Sequence, residues 1–121
     1  MQSKSERNSQ GPLVTRAMLR AASRLRLTDR MIGGIIGVSD ATIVHIRQGR
    51  HVLTQKPFEL AVLLVRLSDS LDRMVGGDER SARSWLKSHN SVLGGIPIKK
   101  IQTIAGLAET IAYLETRLAR V

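Results

Sequence analysis

An all-α fold is expected from three features of the sequence. Apolar residues recur at steps of three and four, no stretch alternates with period two, and capping or breaking residues cut the pattern into about six or seven segments. With 121 residues and 42% apolar side chains, the chain can build one small core and is too apolar for a disordered polyelectrolyte.

Residues 1–11 are polar and aperiodic, with Gly11-Pro12 as a stop, and are expected to form a disordered arm. From Pro12, a residue suited to a first helical turn, Leu13, Val14, Ala17, Met18, Ala21, Ala22 and Leu25 form one stripe, with arginines on the other faces. Thr28 is an N-cap with Asp29 in the first turn of a helix carrying Ile32, Ile35 and Ile36, broken at Gly37-Val38-Ser39. Ser39 caps a helix with Ile43 and Ile46 inside, which Gln48-Gly49-Arg50 ends. Pro57 opens the longest pattern, from Phe58 through Leu64 to Met74, and Gly76-Gly77 stops it. Asp78 caps a helix with Ala82, Trp85 and Leu86, Pro97 starts a short turn of helix, and Gly106 precedes a final amphipathic helix presenting Leu107, Ile111, Leu114 and Leu118.

Lys and Arg total 19 against 10 acids, a net charge of +9. Residues 1–50 hold nine of those cations and three acids, so a polyanion is expected on the first half. One Trp, one Tyr and one Phe leave no stacking platform for single-stranded nucleic acid. The absence of cysteine removes disulfides, thiol catalysis and Cys-ligated metals, and His45, His51 and His89 lack ligand spacing. No P-loop, GxGxxG or supported Ser-His-Asp order is present, so no catalysis, metal or cofactor is expected. The longest apolar run, Leu60 to Val65, is far short of the roughly 20 residues of a bilayer span, and the polar N-terminus does not suit a secretory peptide. A soluble, cytoplasmic protein is expected.

The strongest local pattern runs from Leu27 to Arg50. A helix-turn-helix needs a small residue where the helices cross (Gly33), a left-handed residue in the turn (Gly37), and apolar anchors (Ile32, Ile36, Val38, Ile43 and Ile46). Through G-V-S, T-I and the closing G-R, this stretch resembles the Xre/Cro-type helix-turn-helix, although Gly33-Gly34 replaces the usual Ala-plus-polar pair and Arg47-Gln48 the frequent Glu-Asn. The second helix of such motifs enters the major groove. Its outward residues would be Asp40, Ala41, Val44, His45, Arg47 and Gln48, with Arg47 reading guanine, Gln48 adenine, and Ala41 or Thr42 a thymine methyl. Arg30, Ser39 and Arg50 are placed for phosphates.

From 82 to 118, the landmarks are Trp85-Leu86, Asn90, Leu93-Gly94-Gly95, Pro97-Ile98, Thr103, Gly106, Ile111 and Leu114. They resemble the toxin-binding domain of the Xre/MbcA/ParS antitoxins, with Ile98 for the usual Leu, Ile111 for Val and His89 where Pro is common. The resemblance implies an antitoxin that neutralises a RES-domain, NAD-degrading toxin by covering its active site with the C-terminal region and autorepresses the operon. It implies a toxin-facing set of Trp85, Asn90, Leu93, Gly94, Pro97, Thr103, Gly106, Arg117, Leu118, Arg120 and Val121. Trp85 also suits the core, the three glycines suit turns, and the last arginines suit a helix C-terminus. The expected division is an arm at 1–11, a helix-turn-helix DNA-binding region at 12–55, a long connecting helix at 56–77 and a toxin-binding domain at 78–121. A homodimer on palindromic operator DNA is expected, with the apolar surplus of residues 57–75 as a seam or as core. The alternative is a stand-alone Xre-type regulator without a toxin.

Overall fold

Helix-forming stretches separated by local caps generate the architecture. The computed structural model describes the backbone of residues 4–120 and the side chains of residues 10–120. Seven helices and no strand occur among them: α1 (Lys4–Leu25), α2 (Asp29–Ile36), α3 (Asp40–Arg47), α4 (Gln55–Met74), α5 (Glu79–Lys87), α6 (Pro97–Lys100) and α7 (Ile104–Ala119). No helix among the described residues is long and apolar enough to cross a membrane.

The boundaries have identifiable causes. Thr28 and Ser39 cap α2 and α3 through side-chain oxygens that accept the Met31 and Thr42 amides, each at 3.1 Å. Gly37, at φ 78°, ends α2 in the left-handed conformation. The end of α1 is less expected. Arg26 takes φ 54°, and the amides of Arg26 and Leu27 donate to the carbonyls of Ser23 and Ala22 at 3.1 and 2.8 Å. This is a Schellman stop built without glycine, fastened by Leu27 and Ala22 in the core.

Two expectations about helix limits are corrected. The arm expected at 1–11 is helical from Lys4, so Pro12 lies inside α1 rather than in its first turn; residues 1–3 lie outside the described residues. The segment is anchored at Gly11, which is buried against Val52 and Leu53. At the other end, Gly106 does not precede the last helix but lies within its first turn, and Thr103 is the cap, accepting the Gly106 amide at 3.0 Å. A Cβ on Gly106 would collide with the Lys100 carbonyl, so the glycine serves close approach rather than a stop.

The core is a single cluster. Met18 of α1, Ile32 and Ile36 of α2 and Ile43 of α3 join Leu64, Leu67 and Leu71 of α4, Leu86 of α5, and Leu107 and Leu114 of α7. α4 is the axis: it packs on α1 and α7 most extensively, and also on α2 and α5. Buried Ser68 is satisfied by Arg24, whose Nη2 donates to its hydroxyl at 3.0 Å. Gln102 reaches from the α6–α7 turn to Gly34 of α2, where any Cβ would strike its side-chain oxygen. The front and back of the chain therefore touch directly.

Arg66 of α4 clasps Glu115 of α7, its Nε and Nη2 donating to Oε2 and Oε1 at 2.7 and 2.6 Å. Those hydrogen bonds, more than the charge itself, hold the Glu115 carboxyl below its ordinary range and push the Arg66 guanidinium up. A carboxylate more acidic folded than unfolded stabilises above its ordinary pKa, and the contribution vanishes as pH falls through the folded value. Glu115→Gln is thus expected to lower the melting temperature at neutral pH, with the two proteins converging in acid. A difference that stays constant with pH in thermal melts contradicts this account.

Candidate functional site

Two surfaces stand out, and the first is the α2–α3 pair. Gly33 is buried where the chain turns back, and a Cβ there would lie 2.5 Å from the Val38 carbonyl oxygen, so the turn between the helices passes α2 closer than a side chain permits without adjustment. Ile43 and Ile46 turn inward, and Asp40, Ala41, Val44, His45, Arg47 and Gln48 are all exposed. Ser39 is exposed as the cap, and its hydroxyl lies 2.9 Å from that of half-buried Thr42. Arg30 at the start of α2 and Arg50 after α3 are exposed beside this face.

Arg47 differs from its expected role. Its Nε and Nη2 both donate to Asp29 Oδ1, at 3.0 and 2.8 Å, so the guanidinium assigned to guanine is turned back onto the start of α2. The pair is half-exposed, and such pairs contribute about 0–1 kcal/mol, so a duplex can compete for the arginine at little cost.

The second surface is a groove of about 390 Å³ between the 92–93 turn and α7. It brings together Leu93, Arg117 and Arg120 from the expected set and adds Val92, Ala112 and Tyr113. Trp85 stacks on Tyr113 with ring centroids 6.2 Å apart, and the Arg117 guanidinium sits over the same ring, 5.6 Å from its centre. Tyr113 thus presents a cation on an aromatic base at the groove's rim. Val92 is 72% exposed, an apolar side chain held in water.

Most of the other expected toxin-facing residues shape the groove rather than line it. Pro97 and Gly106 are buried, whereas Leu93 lines the groove at 4% exposure. Asn90 organises the loop: its side-chain oxygen accepts the Val92 and Leu93 amides at 3.0 Å each, while its backbone pairs with Gly95. Gly94 takes φ 73°, and Thr103 is spent as a cap. Trp85 is half-buried, in keeping with its dual reading, Leu118 is half-buried, and Val121 lies outside the described residues. Tyr113 is foremost among the groove residues that sequence reasoning missed. Its spacing of four from Arg117 on one helix was the available signal.

The two surfaces together define a protein that pairs a DNA-binding head with a partner-binding tail. Residues 7–66 match the family model described as the antitoxin Xre-like helix-turn-helix domain, and residues 70–118 match that of the antitoxin Xre/MbcA/ParS C-terminal toxin-binding domain. No curated protein matches the chain. The chain belongs to the Xre/MbcA/ParS antitoxin family, and its two domains imply DNA binding and a toxin partner.

Proposed function

We propose that this antitoxin neutralises a RES-domain toxin that degrades NAD, covering the enzyme's active site with its C-terminal region, and represses its own operon as a homodimer. The observation that carries the reading is the groove beside α7. It combines an exposed valine, an aromatic base and two arginines near the chain's end, a combination suited to plugging a cleft that binds an anionic dinucleotide. The reading head supports the second half of the proposal, with a uniformly exposed outer face on α3 flanked by Arg30 and Arg50. Base reading then falls to Ala41, Thr42, Val44, His45 and Gln48, with Arg47 joining once it leaves Asp29.

The homodimer draws support from a different face. Leu13 of α1 and Val62 of α4 are 59% and 40% exposed, and with Phe58 and Leu63 they line a hollow of about 750 Å³. Burying that apolar surface against a second copy would set two reading helices on one palindrome.

The test is a mixing experiment with the toxin encoded next to this chain. The toxin alone should consume NAD, and adding the full chain in equal amount should stop it. Removing the residues after Glu115 should restore NAD consumption. A chain that binds duplex DNA yet leaves NAD consumption untouched would be the stand-alone regulator instead.

A further inference from the structure

Arg16 and His51 lie outside both surfaces, and they meet Arg47 of the reading helix in one place. α1 and the loop after α3 enclose a hollow of about 410 Å³, with Pro12, Leu19 and Val52 as apolar walls and Arg16, Arg47 and His51 as polar groups. The loop is pinned to α1 from two sides. Leu53 is 1% exposed in the core, and a Cβ added to buried Gly11 would stand 3.0 Å from Val52 Cγ1. Arg16 and His51 are both exposed, and neither makes an ion pair among the described residues.

The hollow's position gives it a ligand. A reading helix approaches base edges with its N-terminal and outward residues. The C-terminal end of α3 and the loop beyond it therefore emerge towards the wall of the groove, where the phosphates run. The hollow opens at that end, because Arg47 and Gly49 border it. Its mixed lining suits a sugar–phosphate chain, with apolar walls for the deoxyribose face and a guanidinium fork for the phosphate oxygens.

We propose that this hollow is a second phosphate-binding site, in which Arg16, with His51 beside it, grips the duplex backbone at the edge of the half-site. The site extends the footprint from α3 onto α1 and adds affinity without sequence preference. It rests on the reading that α3 binds duplex DNA.

The experiment measures the full chain's affinity for a random-sequence duplex longer than two helical turns, as salt rises from about 50 to 200 mM. Each phosphate neutralised contributes about 0.9 to the slope of log affinity against log salt, so Arg16→Gln should lower that slope by about 0.9. Arg16→Lys should keep the slope, and His51→Gln should weaken binding at every salt concentration. Arg80→Gln, an equal loss of charge on α5, should leave the slope unchanged. A wild-type slope in Arg16→Gln, in a protein whose circular dichroism and melting temperature are intact, overturns the proposal, as does an equal fall in Arg80→Gln. If the wild-type chain binds no duplex, the DNA-binding reading fails as well, which separates the two failures.

Discussion

Leu64→Ala is expected to cost about 2–5 kcal/mol and to lower the melting temperature by roughly 10–20 °C. Leu64 is fully buried at the middle of α4, the helix on which α1, α2, α5 and α7 all pack. Truncation leaves a void where rigid helices meet from several directions, and such a site collapses poorly. Because one apolar cluster runs from Ile43 to Leu114, the DNA-binding head and the toxin-binding tail should lose structure together. Thermal unfolding followed by far-ultraviolet circular dichroism and by Trp85 fluorescence should give coincident transitions in both proteins. Separate transitions, with the tryptophan signal surviving the loss of most helix, would show that the halves hold independent cores.

Tyr113→Ala should weaken toxin binding by at least ~30-fold, corresponding to a loss of about 2 kcal/mol or more, the scale of an aromatic anchor at an interface centre. The ring bears both the Trp85 stack and the Arg117 cation, so its removal flattens the groove's rim and frees the arginine at once. Affinity for duplex DNA should stay within twofold (about 0.4 kcal/mol) of wild type, since the reading head contains no part of the stack. Tyr113→Phe keeps the ring and should keep most of the toxin affinity. Calorimetric titration of toxin and duplex into each variant checks both statements. Loss of both affinities in Tyr113→Ala would mean that the ring supports the whole fold rather than one surface.

The reading head was legible because its geometry is written in local chemistry. Thr28 and Ser39 each accept an amide three residues on, and Gly37 takes the left-handed turn that its type favours, so the limits of α2 and α3 follow from residue types alone. The end of α1 was not legible, since Arg26 occupies a left-handed position where glycine is usual and is fixed there by the burial of Leu27. The extra turns before Pro12 depend on Gly11 packing against Val52 and Leu53, more than 40 residues away, which local periodicity cannot display. Among the C-terminal residues the difficulty was of another kind. Leu93, Pro97 and Gly106 are dictated by packing, and their pattern stands out for that reason. Val92 and Tyr113 acquire a shared surface only when the loop folds against α7. Arg47 illustrates the same limit, because its partner Asp29 lies 18 residues earlier and meets it across the turn.

Gln102 fits against Gly34 because that position carries no side chain. The back of the molecule thus leans on the first helix of the motif at the front, with no slack tether between them. When a toxin holds the rear, the groove-entering element travels with it as a fixed arm. The captured partner and the reading helix therefore keep one mutual orientation.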